Sequence, residues 1–513
     1  MNKNNRKQIL NSDRNGAILI IVLITILILS LSAYTFCALM LTEDEATRLT
    51  GRRVKTRYLV ESGVEYTRLF LSKPEQDIRE LGGRYNNPLF QNVVVSVDPD
   101  DPELIGRFTV IASSLDDNGI PNGFRYGLVD ESSRLNLNVL IDLDNQLPGS
   151  ARNLLMALPD MTEDVADAIL DWLDKDDDLR EYGAESAEYN SLSPPYATRN
   201  GPMDSLEELL LVRGVTPQLL FGLDTNHNGI VDDDEANSES SSNIAAELQL
   251  GWANFLTLYS KETNLNLSGL QRININSPDL ELLYTDLRSA FNEQWSNFII
   301  GYRQNGPVTE GNINNAAFGE IDFEKEAAHE FTSVLDIIGV MSKISFTDQL
   351  DKTVESPANL DNLHSSLPAI MANLTTVDEA TIPGRLNIMQ APRQMLLGVP
   401  GMTEETADLI LQTREYELND PDITDKQRNY ETWILAEEIV DLQTMKTMLP
   451  FICVGGSVYR AEVVGYFSDG KGSSRAEVII DKTSPIPRIV FWRDKSHLDR
   501  GYSSEILGID LVQ

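Results

Sequence analysis

The sequence GAILIIVLITILILSLSAYTFCALML, residues 16–41, carries no charged side chain and determines how the rest of the chain is arranged. At about 1.5 Å per residue, a helix of this length crosses a hydrocarbon core of roughly 30 Å. The sequence therefore predicts one membrane-spanning helix over residues 17–41. Residues 42–72 continue with helix-forming residues, weakened by Gly51 and Gly63, until Lys73-Pro74 ends the pattern. A single long helix with an apolar half and a polar half is expected.

The residues before this stretch form a basic leader whose cations outnumber its acid, namely Lys3, Arg6, Lys7 and Arg14 against Asp13. The positive-inside rule predicts that this end stays in the cytoplasm and that the bulk of the chain lies outside. Two alternatives stay open for the apolar stretch. One is an uncut signal anchor, and the other is a cleaved signal peptide, for which Ser30 and Ala33 offer a weak cleavage site.

The composition limits the possible functions. The 513 residues correspond to about three domains. A formal charge of -37 disfavours a nucleic-acid partner and favours divalent cations. With two cysteines, Cys37 and Cys453, the chain has no disulfide framework. The four histidines show no HExxH spacing, and neither a Walker loop nor a GxSxG motif is present, so we expect a protein that is not an enzyme.

The β-rich segments fall into two groups at opposite ends of the chain, residues 90–98, 105–114 and 123–132, and residues 457–467, 473–481 and 487–494. Between the two groups the sequence is largely helical. We therefore predict an α+β fold, in which a long N-terminal transmembrane helix packs on an antiparallel sheet that holds a large inserted α-helical domain. Two separate domains are the alternative. The predicted boundaries are leader 1–16, transmembrane helix 17–41, outer half-helix 42–73, sheet 74–138 and 455–513, and insert 139–454.

The predicted insert contains a repeat. The segments RLNLN (134–138), RININ (272–276) and RLNIM (385–389) each open a block. The first and third blocks continue in parallel as ALPDMTEDVADAIL (157–170) and GVPGMTEETADLIL (398–411), while the first and second end in DSLEELLLVRGV (204–215) and FTSVLDIIGV (331–340). These blocks resemble helix-hairpin-helix units, which bind DNA through backbone N–H groups. Here acids follow each hairpin directly, so helical hairpins used for packing are favoured over DNA binding.

The segment DTNHNGIVDDDE, residues 224–235, has the spacing of a twelve-residue EF-hand calcium loop. Short oxygen-bearing side chains on alternate residues point inward, Gly229 permits the sharp turn, and a final glutamate closes the shell. The predicted calcium ligands are Asp224, Asn226, Asn228, the carbonyl of Ile230, Asp232 and Glu235. A polar loop without a metal is the alternative.

A second acidic group contains Asp171, Asp174, Asp176, Asp177, Asp178 and Glu185. It begins at the C-terminal end of a predicted helix, where each acid opposes the helix macrodipole by about 0.3 to 1 kcal/mol. A bound cation would remove this conflict. A solvated acidic loop is the alternative, and paired catalytic carboxylates are a weaker one because no partner base accompanies them.

The order of basic leader, glycine and unbroken apolar helix resembles the class III leader and N-terminal helix of type IV pilins and type II secretion pseudopilins. The resemblance implies cleavage by a prepilin peptidase between Gly16 and Ala17. Members of these families usually carry a glutamate at the fifth mature position, which here is Ile21. In lacking this glutamate, the chain resembles the protein K family of minor pseudopilins, whose members lie at the fibre tip.

Three segments of the first block also resemble the protein K family: DESSRLNLN (130–138), DWLDKDDDLREYGAE (171–185) and MDSLEELLLVRGV (203–215). With the N-terminal helix, the resemblance covers most of residues 16–221, whereas residues 221–382 make the chain longer than is usual. It implies calcium in the acidic segment, with Asp174, Asp176 and Glu185 as first ligands and Asp171 and Asp178 as further ones.

The resemblance implies a minor pseudopilin of the type II secretion system, located at the tip of the pseudopilus and supporting protein export across the outer membrane. Its expected partners are other minor pseudopilins, inner-membrane secretion components and the prepilin peptidase. The expected location is the bacterial inner membrane, with a single pass, a cytoplasmic N-terminus and a periplasmic bulk. A type IV pilus minor pilin, a helix-hairpin-helix DNA-uptake protein and a membrane-anchored calcium-dependent hydrolase stay open as alternatives.

Overall fold

The computed structural model describes residues 13–97, 99, 104–237, 244–266, 268–311, 313, 319–419 and 426–509. The predicted leader residues Lys3, Arg6 and Lys7 lie outside this part of the chain.

The helices are α1 Asp13–Leu71, α2 Glu75–Glu80, α3 Leu140–Gln146, α4 Ser150–Met156, α5 Glu163–Leu173, α6 Ser186–Tyr189, α7 Pro217–Phe221, α8 Asp233–Ala236, α9 Leu280–Ala290, α10 Glu293–Asn305, α11 Leu363–Asn373, α12 Arg393–Leu397, α13 Glu404–Asn419, α14 Trp433–Ala436, α15 Leu442–Met448 and α16 Ser504–Leu507.

The strands are β1 Val93–Val97, β2 Ile105–Leu115, β3 Pro121–Tyr126, β4 Val129–Asp130, β5 Leu135–Asn136, β6 Leu256–Thr257, β7 Lys261–Thr263, β8 Ile273–Asn274, β9 Pro307–Val308, β10 Met341–Ile344, β11 Lys352–Glu355, β12 Leu374–Thr375, β13 Thr381–Pro383, β14 Leu386–Asn387, β15 Ile452–Cys453, β16 Val458–Phe467, β17 Ser473–Asp481 and β18 Arg488–Asp494.

The N-terminal helix α1 is continuous over Asp13–Leu71, which confirms the single long helix that the sequence predicts. Its apolar side chains from Ile18 to Leu41 are exposed, and this part is long and apolar enough to cross a membrane. Its second half buries Val60, Val64 and Leu71. Because these residues are four and seven positions apart, they lie on one face of the helix. The helix thus has an exposed apolar half and a half that packs on the protein core.

The main sheet is antiparallel and joins strands from both ends of the chain. Its order is β1-β2-β16-β17-β18, with β3 beside β2 and β4 beside β16. At its centre Val110 of β2 lies opposite Val463 of β16. Both residues are buried in one cluster with Val64 of α1, so the sheet and the helix share a core. Burying each such side chain stabilises the fold by about 1.5 to 3 kcal/mol.

Among the described residues, those between 131 and 457 contribute no strand to this sheet. They form a region that is mainly helical and has a large apolar core of its own. Short strand pairs within this region were not predicted from the sequence. Two-residue strands carry too little hydrophobic alternation to be recognised in a sequence. The predicted domain boundaries stay predictions.

Each of the three repeat segments forms a short strand that pairs in parallel with a strand later in the chain. The pairs are β5 with β6, β8 with β12, and β14 with β15. At the same position of each segment, an asparagine side chain accepts a hydrogen bond from the backbone N–H two residues ahead. These residues are Asn136 at 3.0 Å, Asn274 at 2.9 Å and Asn387 at 2.9 Å. The blocks therefore share a local geometry as well as a sequence pattern.

Candidate functional site

The structure brings three of the predicted acids together in a buried cluster, which we call the acidic cluster: Asp171, Asp174 and Glu185. Asp171 lies in the last turn of α5, Asp174 directly follows that helix, and Glu185 directly precedes α6. A carboxylate oxygen from each residue lies within 4.8 Å of the other two. The ends of two helices therefore position three hard oxygen ligands around one point.

Arg180 partly compensates the charge of the acidic cluster. Its Nη1 donates to Asp171 Oδ1 at 2.8 Å and also contacts Asp174. Both oxygens of Glu185 and the Oδ1 atom of Asp174 are buried and have no hydrogen-bond partner in the part of the chain that the structure describes. Burial, together with the negative charges of Asp171 and Asp174, raises the pKa of Glu185 to about 7. Unpartnered buried carboxylate oxygens fit a calcium ion, which takes oxygen ligands.

The other predicted ligands of the acidic segment lie elsewhere. Asp176 and Asp178 are exposed, and Asp176 Oδ1 accepts a hydrogen bond of 2.9 Å from the backbone N–H of Asp178. Arg180 and Gly183 also belong to the site, although neither was predicted from the sequence. A Cβ atom at Gly183 would lie 1.8 Å from Asp171 Oδ2, so this position admits only glycine without a shift of the carboxylate. In the sequence, Arg180 is the single arginine within the acidic segment 171–185, and this feature could have indicated its role in the site.

The residues 224–235, which we call the acidic loop, fold back on themselves. The carboxylate of Asp224 accepts backbone N–H groups of Asn228 at 3.0 Å and Gly229 at 2.8 Å. Gly229 has a φ of 74°, a left-handed conformation that glycine adopts without strain. At the other end, Glu235 Oε1 accepts the backbone N–H of Thr225 at 2.8 Å. The first and last predicted ligands thus close the loop.

Two predicted ligands in the middle of the acidic loop, Asn226 and Asn228, both contact a third, Asp232. The side-chain amides of Asn226 and Asn228 donate to Asp232 Oδ2 at 2.7 Å and 2.9 Å. Asn226 Oδ1 is buried without a partner. Burial raises the pKa of Asp224 to about 7, and the nearby Glu235 adds to this effect. The side chains at the predicted ligand positions thus lie close together, but the amides turn their nitrogens toward Asp232, so calcium at this loop stays a prediction.

The side chain of the remaining loop position, Ile230, packs beside Ile111, Val464 and Leu507. This contact attaches the acidic loop to the main sheet.

Two basic side chains from the C-terminal part of the chain hold the backbone of the acidic loop. The buried Arg475 donates to the carbonyl of Asn226, and Lys495 Nζ donates to the carbonyl of His227 at 2.8 Å. Glu462 accepts from both cations, at 3.0 Å from Arg475 and 2.8 Å from Lys495. The sequence analysis did not identify these residues, because they lie far from the loop along the chain.

The cleavage site predicted from the sequence lies within α1, where the backbone is helical at Gly16 and Ala17. Four residues after Ala17, Ile21 is exposed on the apolar half of the helix. The described part of α1 therefore presents a continuous apolar surface from Ile18 onward.

Comparisons with known proteins agree with the resemblance seen in the sequence. Residues 133–224 match a family model described as type II secretion system (T2SS), protein K. The chain is 33% identical over 153 residues to the type II secretion system protein K of Aeromonas hydrophila. This alignment covers 29% of the chain and 42% of the relative, so it spans less than half of that protein.

A solved structure, described as the GspK-GspI-GspJ complex from the type 2 secretion system of enterotoxigenic Escherichia coli, aligns over 89% of this chain and 98% of its own. The identity is 12% and the TM-score is 0.32. In this chain the apolar half of α1 is long and apolar enough to cross a membrane, and the antiparallel sheet and the matched first block follow it. Residues 133–224, which contain the acidic cluster, are thus similar to protein K of type II secretion systems.

Proposed function

We propose that this protein is a minor pseudopilin at the tip of the type II secretion pseudopilus and that it supports protein export across the outer membrane. The observation that carries the proposal is the division of α1 into an exposed apolar half and a half buried on the sheet. An exposed apolar helix is stable in a bilayer or packed against similar helices in a fibre. The match of residues 133–224 to protein K supports this assignment over a type IV pilus minor pilin or a DNA-uptake protein.

The proposal includes processing of the N-terminus. A prepilin peptidase would cut between Gly16 and Ala17, and the mature chain would then begin with the apolar half of α1. The protein would lie in the inner membrane with its N-terminus toward the cytoplasm and its bulk in the periplasm. Its partners would be other minor pseudopilins and inner-membrane secretion components.

The tip position is proposed from Ile21. A subunit along the shaft uses a carboxylate at this position to pair with the free N-terminus of its neighbour, and Ile21 offers no such group. A subunit at the tip does not require that pairing.

Calcium is the proposed cofactor at both the acidic cluster and the acidic loop. Asp171, Asp174 and Glu185 would hold one ion, and the 224–235 loop would hold another. Calcium would neutralise buried negative charge and fix the ends of α5 and α6 relative to each other. We assign these ions a structural role in a protein without enzymatic activity.

The repeated blocks are proposed to be helix-hairpin-helix-like units used for packing. In the first block, Ala166, Ile169 and Leu170 of α5 are buried in the apolar core of the helical region. In the third block, Ala407 and Ile410 of α13 are buried in the same core. Their apolar faces are therefore engaged in folding, and the acids at the helix starts would repel phosphate.

Two measurements test the proposed function. N-terminal mass spectrometry of the membrane fraction should give a mature chain that starts at Ala17, and Gly16→Ala should leave the precursor uncut while Gly51→Ala is processed normally. Labelled protein on isolated fibres should lie at one end, and deletion of the gene should stop secretion. An intact Met1 in the wild type, or label spread evenly along the fibres, would contradict the proposal.

A further inference from the structure

A cavity of about 310 Å³ lies where the main sheet meets the first and third repeat blocks. Three arginines from different parts of the chain line it, namely Arg125, Arg134 and Arg414. The protein has a formal charge of -37, so a local concentration of guanidinium groups is unusual in this chain. The partners of each arginine decide whether their charges are already neutralised.

Arg125 is buried without an ion pair among the described residues. It is 7% exposed and lies over the ring of Tyr85, with 3.9 Å from its guanidinium carbon to the ring centroid. Its Nη1 donates to the carbonyl of Tyr85 and to that of Leu128 at 2.7 Å. Its Nε is buried and has no hydrogen-bond partner. The guanidinium group is thus fixed in place while its positive charge meets only neutral acceptors.

Arg134 has a similar environment. It is 6% exposed, and its donors reach the carbonyl of Ala253 at 3.3 Å and Asn254 Oδ1 at 3.5 Å. The nearby Glu131 is engaged by Arg460 at 2.7 Å and by Thr257. No ion pair of Arg134 occurs in the described part of the chain, although Glu131 lies close enough to interact electrostatically.

The repeat supplies an internal comparison for Arg134. The equivalent arginine of the third block, Arg385, forms ion pairs with Glu262 and with Glu431, the latter at 2.7 Å. Burial lowers the pKa of Arg134 to about 10, whereas the two carboxylates raise the pKa of Arg385 above its usual range. The same backbone position therefore carries a neutralised cation in one block and an incompletely neutralised one in the other.

The acids that line the cavity have other partners. Asp116 Oδ1 accepts the backbone N–H groups of Asn118 at 2.9 Å and Ile120 at 2.8 Å. Asp117 forms an ion pair with Arg414. Among the described residues, Arg125 and Arg134 are therefore the lining cations without an ion pair, and Asp116 is the lining acid without one, because its hydrogen bonds come from neutral N–H groups. Two such cations against one such acid leave the cavity with a net positive charge, and a buried cation of this kind is unfavourable until an anion compensates it.

We propose that this cavity binds a small oxyanion, a carboxylate or a phosphate, through the guanidinium groups of Arg125 and Arg134. Arginine suits this task because its planar N–H groups match the oxygens of both anions. A cavity of about 310 Å³ has room for a small molecule or for the end of a side chain. Binding would link the sheet to the first and third blocks.

Isothermal titration of the full-length protein in detergent tests the proposal, with sodium phosphate, sodium sulfate and sodium acetate as probes at constant ionic strength. Saturable binding of at least one probe is expected, together with a rise in Tm that sodium chloride does not reproduce. Binding of phosphate and sulfate alone would identify a tetrahedral oxyanion, and binding of acetate would identify a carboxylate. Equal shifts with chloride and all three probes would overturn the proposal.

Variants at the exposed Gln390, which lines the mouth of the cavity, test the location without removing a buried arginine. Gln390→Glu introduces a negative charge and should weaken binding about tenfold, while Gln390→Lys should strengthen it by a similar factor. The matched control Gln443→Glu lies outside the cavity and should leave binding unchanged. Arg134→Gln should abolish binding. If Gln390→Glu, Gln390→Lys and Arg134→Gln all bind the probe with unchanged affinity, the ligand does not bind in this cavity and the proposal is wrong.

Discussion

The hydroxyl of Tyr502 donates a hydrogen bond of 2.7 Å to the carbonyl of Asn228, a residue 274 positions earlier in the chain. Tyr502 is buried, and Asn228 is a predicted ligand position of the acidic loop. The C-terminal segment and the acidic loop are therefore one structural unit. Any ligand that orders the loop should also stabilise the attachment of the C-terminal segment to the sheet.

The first prediction concerns this contact. Tyr502→Phe removes the donor to Asn228 and should lower the free energy of unfolding by about 1 kcal/mol. It should also weaken calcium binding to the acidic loop, because the loop backbone loses part of its support. Denaturant titration and calorimetry with calcium measure the two effects. Tyr58→Phe, at an exposed position of α1, is the control. Unchanged stability and calcium affinity in Tyr502→Phe would show that the contact does not support the loop.

The second prediction concerns the acidic cluster. Glu185→Gln removes a buried carboxylate whose oxygens have no partner, so without calcium this variant should be as stable as the wild type or more stable. With calcium at a hundredfold excess over Kd, the free energy of unfolding of the wild type should rise by about 2.7 kcal/mol for each occupied site. In the variant, the contribution of the acidic cluster to this increase should be missing. Thermal unfolding with calcium or a chelator measures both values.

The exposed Glu181→Gln serves as the control for that experiment, because it removes a negative charge from the same segment outside the cluster. In this control, calcium should raise the free energy of unfolding by the same amount as in the wild type. A gain of equal size in Glu185→Gln and the wild type would contradict a calcium site at this cluster.

The third prediction uses two glycines of the same helix. A Cβ atom at Gly63 would lie 2.5 Å from Val463 and 2.8 Å from Phe108, both in the main sheet. Gly63→Ala should therefore destabilise the protein by about 1 to 3 kcal/mol through overpacking. A Cβ atom at Gly51 has open space, so Gly51→Ala should stabilise the helix by up to about 1 kcal/mol. Chemical denaturation of both variants checks the opposite signs, and an equal effect would be inconsistent with this packing.

The fourth prediction concerns the pH dependence of the contact between α1 and β18. Burial acts to raise the pKa of Asp494, but hydrogen bonds from Ser496 and Arg57 outweigh it and hold the pKa at about 2. Because the folded pKa lies below the ordinary value of 3.8, this carboxylate stabilises the fold above about pH 4. That stabilisation is lost as the pH falls toward 2.

Asp494→Asn should accordingly lower the free energy of unfolding at pH 7 by about 0.5 kcal/mol, a small value because the pair with Arg57 is partly exposed. The difference from the wild type should shrink as the pH falls toward 2 and approach zero below pH 2. Denaturant titrations across this pH range measure it, with the exposed Asp361→Asn as the control. A difference that persists unchanged at pH 2 would exclude this titration as its cause.

Local sequence patterns were sufficient to predict several features of the fold. The uncharged stretch from Gly16 to Leu41 predicted the apolar half of α1, and Lys73-Pro74 predicted where the helix ends. The β-rich segments predicted six strand regions, of which residues 123–132 divide into β3 and β4 at Gly127. These predictions succeeded because hydrophobic periodicity and proline act over a few residues.

The sequence alone also identified most of the acidic positions as candidate metal ligands, since a ligand spacing such as that from Asp224 to Glu235 can be read directly from one segment. Only the tertiary structure decided which acids meet: it placed Glu185 beside Asp171 and left Asp178 on the surface. It also placed Lys495 and Tyr502 against the acidic loop and gave Arg134 no ion pair with any residue that the structure describes. These contacts join residues far apart in the chain, and their formation depends on how the sheet and the repeated blocks pack together, which no local pattern encodes.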